Sequence, residues 1–282
     1  MGEVGFVNGR FMPLEQATVP VEDRGYQFGD GVYEVVRTYR GAPFQLEAHL
    51  ARLERSAQAI GLPLPYRAQQ WADFVAEGIK LAGFGESKIY IQLTRGVAPR
   101  DHLFPASPRP TAVMTVRELQ PLPLSFHANG VEAITLEDVR WGRCDIKSVN
   151  LLPNVMARQR AREAGAFEAI LVREGEVTEG AVSNVLAVHG GILLTPPEGS
   201  RILSGVTRAV TLSLARKEGL TVQERSVRLD ELRAAQEIML TGTTVEVLPV
   251  VGLDGKPVGT GRPGEVSGLL LDRFRQLTGP AA

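Results

Sequence analysis

Lys147 lies in the segment Arg140-Trp141-Gly142-Arg143-Cys144-Asp145-Ile146-Lys147-Ser148, and Glu179 follows in Val177-Thr178-Glu179-Gly180. A lysine amine can condense with an aldehyde to give a Schiff base, and a separate carboxylate can keep a pyridine nitrogen protonated. Each residue also has a plainer reading. Lysines are mostly exposed, so Lys147 fits a salt-bridging surface patch as well. Glu179 fits an ordinary carboxylate at a strand end. Arg140 and Arg143, beside Trp141 and close to a helix start, form a cationic cluster with Lys147, a setting that lowers a lysine's affinity for its proton.

Other residues suit anions. Gly205-Val206-Thr207-Arg208 opens a predicted helix, whose free N–H groups and dipole favour negative charge. Thr241-Gly242-Thr243-Thr244, at a strand end, offers hydroxyls and a backbone nest. Arg52, in Glu47-x-His49-x-x-Arg52-Leu53, is either a charge-assisted donor to such an anion or a solvated helix arginine. In Arg95-Gly96-x-x-Pro99-Arg100-Asp101-His102-x-Phe104-Pro105 the planar fork of Arg100 suits a carboxylate bidentately, and His102 adds a donor. The same stretch also reads as a polar surface loop.

Several chemistries are not supported. Gly29-Asp30-Gly31 lacks both the Gly-Lys-Ser/Thr ending of a phosphate loop and a βαβ frame. Four histidines and one cysteine show no zinc spacing, so no metal is expected, and Cys144 reads as a small packed residue.

The elements that must position these residues are short strands and a few helices. Val4–Val7 and Phe11–Leu14 flank the turn pair Asn8-Gly9, and Val32–Tyr39 and Pro43–Leu46 flank Arg40-Gly41. Apolar residues at helical spacing predict helices over Glu47–Gly61 and Arg67–Leu81. Strands are predicted at Lys88–Thr94 and Thr111–Arg117, separated by a proline-rich loop. Gln120-Pro121-Leu122-Pro123-Leu124 reads as a stiff extended connection. Beyond it come strand Val131–Leu136, helix Leu151–Ala164 and an antiparallel-looking series through Ala169–Val172, Val182–Val188 and Ile192–Thr195. A helix from Val206 to Glu218, strand Val222–Val227, a short helix, strand Ile238–Thr241, a hairpin at Asp254-Gly255 and a helix Glu265–Leu277 complete the chain. Glycine hairpins with interspersed helices argue for α+β sheets over a doubly wound parallel sheet. The expectation is two α+β domains: residues 1–119 as the smaller, 120–125 as linker, and 126–282 as the larger.

Composition fits an ordinary globular enzyme, with 44% hydrophobic and 22% charged residues over 282 positions. A formal net charge of -1 gives no global field toward nucleic acid or an anionic membrane. The N-terminus lacks a signal-peptide pattern, no apolar run approaches a membrane span, and a single cysteine forms no intrachain disulfide. The expected location is cytoplasmic.

The long run Arg140-Trp141-x-Arg143-Cys144-Asp145-Ile146-Lys147-Ser148-x-Asn150-Leu151-Leu152 resembles the lysine segment of the fold-type IV (class IV) aminotransferases, most closely their D-amino acid branch. The motifs appear in order from about Glu3 to Leu277. The resemblance implies a two-domain fold-type IV enzyme with mostly antiparallel sheets and flanking helices, and a larger domain that binds pyridoxal 5'-phosphate. It makes Lys147 the Schiff-base lysine and proton carrier, and gives Glu179 to the pyridine nitrogen. Arg52, Val206, Thr207 and Thr243 go to the phosphate, and Leu203 to the ring face.

Tyr33, in Gly31-Val32-Tyr33-Glu34, with Arg100 and His102, matches the α-carboxylate trap of D-amino acid aminotransferases. Branched-chain aminotransferases and aminodeoxychorismate lyases, the alternatives within the superfamily, generally lack that trio. Ala181, Val182 and Gly242 depart from serines of the Bacillus-type enzymes. The implied reaction moves the amino group of a D-alanine-like D-amino acid to 2-oxoglutarate. The implied assembly is a homodimer in which Arg100 and His102 enter the partner's active site.

Overall fold

The structure, a computed structural model, describes residues 2–279. The chain packs as two units, one formed by Met1–Gln120 with Ile146–Asn150, the other by Pro121–Asp145 with Leu151–Ala282. Ile146–Asn150, the stretch around Lys147 that was expected within the second domain, therefore belongs to the first unit.

In the first unit β1 (Val4–Val7) and β2 (Arg10–Pro13) close a hairpin over Asn8 and Gly9, both at positive φ. A short helix α1 (Arg24–Phe28) leads to β3 (Gly31–Tyr39) and β4 (Ala42–Pro43). Helices α2 (Leu46–Ala59) and α3 (Ala68–Ala82) precede β5 (Ser87–Thr94) and β6 (Thr111–Glu118). The sheet runs β2-β1-β6-β5-β3-β4, antiparallel throughout. Phe6, Val36, Leu53, Trp71, Val75, Ile89, Ile91 and Met114 fill the core between its inner face and the apolar stripes of α2 and α3.

Two local features differ from the sequence expectation. Pro43–Leu46 is mostly not strand, because Gln45 turns into the left-handed region (φ 54) and α2 begins at Leu46. Helix α1 was not foreseen, since five residues are too few for a periodic signal. Its punctuation was present, though. Asp23 caps it by accepting from Gly25 N at 2.8 Å, and Gly29 ends it at φ 66. A Cβ at Gly29 would run into Asn150 Oδ1, so glycine is required there twice over.

The lysine segment is stitched to the first turn of β3. Tyr33 N donates to Lys147 O at 2.9 Å, Val149 N to Gly31 O at 3.1 Å, and Asn150 Nδ2 to Gly29 O at 3.1 Å.

The second unit opens with α4 (Leu124–Asn129), where only an extended connection was expected; Pro121 and Pro123 keep the chain extended just to its N-cap. Then come β7 (Val131–Glu137), α5 (Leu152–Glu163), β8 (Glu168–Arg173), β9 (Glu176–Gly180), β10 (Asn184–His189) and β11 (Ile192–Thr195). After these, α6 (Val206–Lys217), β12 (Val222–Glu224), α7 (Leu229–Arg233), β13 (Glu237–Gly242), β14 (Glu246–Leu253), β15 (Lys256–Pro257) and α8 (Glu265–Thr278) finish the unit.

The sheet order is β12-β11-β10-β13-β14-β7-β8-β9, with β15 on β14. It is α+β and mostly antiparallel, with parallel pairs at β11–β12, β14–β7 and β7–β8. The series expected to be antiparallel is broken between β9 and β10. A turn closed by Gly180 N to Ser183 O at 2.7 Å sends β10 to pair with β11 and β13 instead. Among the described residues no helix is long and apolar enough to cross a membrane.

Candidate active site

In the first unit, strand alternation on β3 puts Tyr33 on one face and Glu34, fully buried, on the other. A buried carboxylate needs partners. Arg52 supplies them from α2, donating Nε to Oε1 at 2.7 Å and Nη2 to Oε2 at 2.9 Å. His49 Nδ1 adds a contact to Oε2 at 2.8 Å. Burial alone would raise the Glu34 carboxyl, but the charge and hydrogen bonds of Arg52, with the bond from His49, outweigh it and hold it at about 2. Burial also pushes His49 below its ordinary value, against the opposing pull of Glu34. Arg52 is thus a braced arginine, not a solvated one.

The spacing of α2 brings Ser56 to the same face, where its hydroxyl accepts from Lys147 N at 3.2 Å. The Lys147 ammonium stands 3.5 Å from the Tyr33 hydroxyl and 4.4 Å from its ring centroid. Lys147 thus meets Tyr33 through its side chain and α2, the helix that carries Arg52, through its backbone. Arg100 and His102 also come together, around Phe28 at the end of α1: the Arg100 guanidinium lies 4.6 Å from that ring and the His102 ring 5.4 Å.

In the second unit Glu179, buried on β9, sits among donors. Arg140 Nη1 makes a short ion pair with Oε1, while Asn184 Nδ2 and Leu203 N donate to Oε2 at 3.1 and 3.0 Å. Asn184 also donates to Leu203 O at 2.9 Å, tying β10 to the segment that leads into α6. Gly205 caps α6 without any side-chain bond, leaving the Val206 and Thr207 end of the helix with its free N–H groups. A Cβ at Gly205 would collide with Asn184 Oδ1, so the close approach depends on glycine.

Asn184 pairs with Thr241 across β10 and β13, which puts the turn carrying Thr243 beside it, and the Thr241 hydroxyl is buried with no partner. Asn184 thus links Glu179 to Leu203, just before the helix start at Val206 and Thr207, while Thr243 lies in the turn after β13.

The cationic cluster expected around Lys147 is not what the arginines form. Arg140 is held by Asp138 through Nε and Nη2 at 2.9 and 2.8 Å as well as by Glu179, and Arg143 pairs with Asp145 at the surface. Opposite charges three or fewer residues away were visible in the sequence and absorb both cations. Burial would raise Asp138, but the Arg140 bond and charge and the Thr178 hydroxyl hold it at about 2. Glu34, His49, Ser56, Asp138 and Asn184 escaped the sequence reading. Glu34 alone carried a signal, being a charge at a buried register position of an apolar strand.

The model of the amino-transferase class IV family matches residues 31–253, and the chain belongs to that family. Among curated relatives it is 45% identical to the D-alanine aminotransferase of Bacillus licheniformis over 92% of each chain. It is 42% identical to that of Staphylococcus haemolyticus over 96% of each. Among solved structures it resembles the branched-chain amino acid aminotransferase of Escherichia coli (TM-score 0.92, 26% identity, covering 99% of this chain and 95% of that one). It also resembles a fold IV-transaminase from Curtobacterium pusillum (TM-score 0.81, 27% identity, 95% and 92%). Its cofactor is pyridoxal 5'-phosphate. The donor sets fit that group: a primary amine for its aldehyde, a buried carboxylate for its ring nitrogen, and an uncapped helix start with a partnerless buried hydroxyl for its phosphate.

Proposed function

We propose that the chain is a D-amino acid aminotransferase, moving the amino group of a D-amino acid such as D-alanine to 2-oxoglutarate. D-Alanine would then give pyruvate and D-glutamate. The observation that carries the reading is the Arg100–His102 pair, assembled on one aromatic ring in a chain 45% identical to a D-alanine aminotransferase. When bound, the cofactor supplies an aldehyde that captures the amino group and a ring that withdraws electrons. Lys147 would hold it, and its amine would take the proton from the substrate Cα and hand it back to complete the transfer. Glu179 keeps the ring nitrogen protonated. Arg52, Val206, Thr207 and Thr243 hold the phosphate, and Leu203 packs against the ring. Tyr33, Arg100 and His102 hold the α-carboxylate common to both substrates.

The structural likeness to branched-chain enzymes supports the second reading, an aminotransferase for branched L-amino acids. A rate assay with 2-oxoglutarate and each of D-alanine, L-leucine and L-isoleucine separates the two. The proposal expects D-alanine to be turned over fastest, and clear preference for the L-substrates would hand the site to the branched-chain reading.

The proposal includes a cytoplasmic homodimer whose sites are shared. The Arg100 loop carries exposed Leu103 and Phe104, and α1 and its approach carry exposed Val21 and Tyr26, apolar side chains that a two-fold contact would cover. Co-refolding Lys147→Ala chains with Arg100→Ala chains should then restore activity. Random pairing makes about half the dimers mixed, and each mixed dimer holds one whole site, so roughly a quarter of sites regain full function. Activity equal to the mean of the two parents would show that each loop serves its own subunit.

A further inference from the structure

Phe28 touches both members of the Arg100–His102 pair. The Arg100 guanidinium lies 4.6 Å from its ring centroid, and the His102 ring lies 5.4 Å away at 54°. Arg100 also donates Nη1 to the Gln27 carbonyl at 3.3 Å, so the backbone next to Phe28 steers the same group. Both Arg100 and His102 are exposed. An exposed arginine samples many rotamers, and ordering it against a substrate costs entropy that a preformed stack removes in advance.

The frame under Phe28 is rigid. Arg24 stacks on the same ring at 4.7 Å, donates Nε to Asp30 at 2.8 Å and reaches the carbonyl of Asp101, the residue between Arg100 and His102. Asp30 also accepts from Arg95 Nε at 2.8 Å, and the Arg95 guanidinium lies 3.6 Å from the Phe104 ring beyond His102. Arg95 is itself buried and fixed to the Ile60 and Gly61 carbonyls at 2.8 and 2.9 Å. The Arg-x-His stretch is therefore held at its middle residue and just beyond His102 by one carboxylate-bridged arginine pair, and its two side chains converge on one ring.

We propose that Phe28 is a positioning residue for substrate carboxylates, presetting Arg100 and His102 by stacking while the Arg24–Asp30–Arg95 network holds the loop that carries them. The inference rests on the reading of Arg100 as an α-carboxylate ligand. A double-mutant cycle on the holoenzyme tests it, with Phe28→Leu, Arg100→Ala, the double variant and Phe28→Tyr.

Leucine keeps apolar bulk at a half-buried position but loses the ring face. Phe28→Leu should raise KM for D-alanine and for 2-oxoglutarate together by roughly 3- to 30-fold, the range of one cation–π contact, with kcat within about twofold. Phe28→Tyr should restore both constants. In the Arg100→Ala background Phe28→Leu should add little, because the group it orients is gone. Unchanged KM values in Phe28→Leu, or effects of the two substitutions that simply multiply, would overturn the role of Phe28 while leaving Arg100 in place. A Phe28→Leu protein with lowered Tm and lost cofactor absorbance, not rescued by tyrosine, would reduce Phe28 to a packing residue. Unchanged KM values in Arg100→Ala itself would instead remove the reading on which the proposal stands.

Discussion

Lys147→Ala should leave a folded protein that no longer turns over, with kcat reduced by about 10²- to 10⁴-fold from the lost proton transfer alone and further by the lost covalent hold on the cofactor. The reasons lie in how the segment is held. Its backbone is fixed independently of the side chain, through Tyr33 N to Lys147 O and Lys147 N to the Ser56 hydroxyl, so alanine at 147 keeps the segment in place. The side chain sits beside Tyr33, its amine 3.5 Å from the phenol oxygen. Neither Ser56 nor Tyr33 can replace a primary amine. Borohydride should therefore fix the cofactor on the Lys147 peptide of the native protein and on no peptide of the variant, as read by mass spectrometry. Transamination near the native rate in Lys147→Ala would discard the assignment.

Glu179→Gln should cost about 10²- to 10³-fold in kcat, the usual effect of removing one preorganised electrostatic partner from a reacting system, with cofactor content close to native. The surroundings allow so clean a separation. The glutamine oxygen can still accept from Asn184 Nδ2 and Leu203 N, so the turn into α6 stays in place. Arg140 loses one carboxylate but keeps Asp138 through Nε and Nη2, which spares the protein a buried unpaired cation. What is lost is the negative charge. Absorbance titration of the bound cofactor gives its occupancy, and steady-state rates at full loading give the effect. An unchanged kcat in a loaded Glu179→Gln protein would assign Glu179 to structure.

Arg140 joins two carboxylates. It pairs with Glu179 and with Asp138, and Asp138 in turn pairs with Arg173 and accepts from the Thr178 hydroxyl, so two guanidiniums match two carboxylates in this cluster. The sequence shows Asp138 and Arg140 two residues apart, yet nothing in that spacing tells which carboxylate the arginine serves. Only the pairing of β8 with β9, which puts Thr178 and Glu179 beside the Asp138 loop, makes it serve both.

The contrast between Arg52 and Arg143 shows where local reading stops. Both are arginines near acidic residues in the chain. Arg143 pairs with Asp145, its neighbour, at the surface. Arg52 pairs with Glu34, brought from another element by the packing of α2 on β3, and is buried. A helical spacing identifies the face of α2 that holds His49, Arg52 and Ser56, but the partner comes from a strand whose register is fixed by hydrogen bonds with β5.

The sequence by itself determined the family and nearly every long strand and helix. These rest on contiguous motifs and on periodicities that need no distant contact. Tertiary structure decided the rest. It assigned Ile146–Asn150 to the first unit, since those residues pair with Gly29–Tyr33, and it set Asn150 against Gly29 at the end of α1, where a side chain would have no room. It also braced Arg52 with Glu34, offset Arg140 with Asp138, and drew Arg100 and His102 onto Phe28. All of these depend on groups far apart in the chain, or on which of several nearby charges a side chain can reach. Such choices follow from burial and geometry, which a linear pattern does not encode.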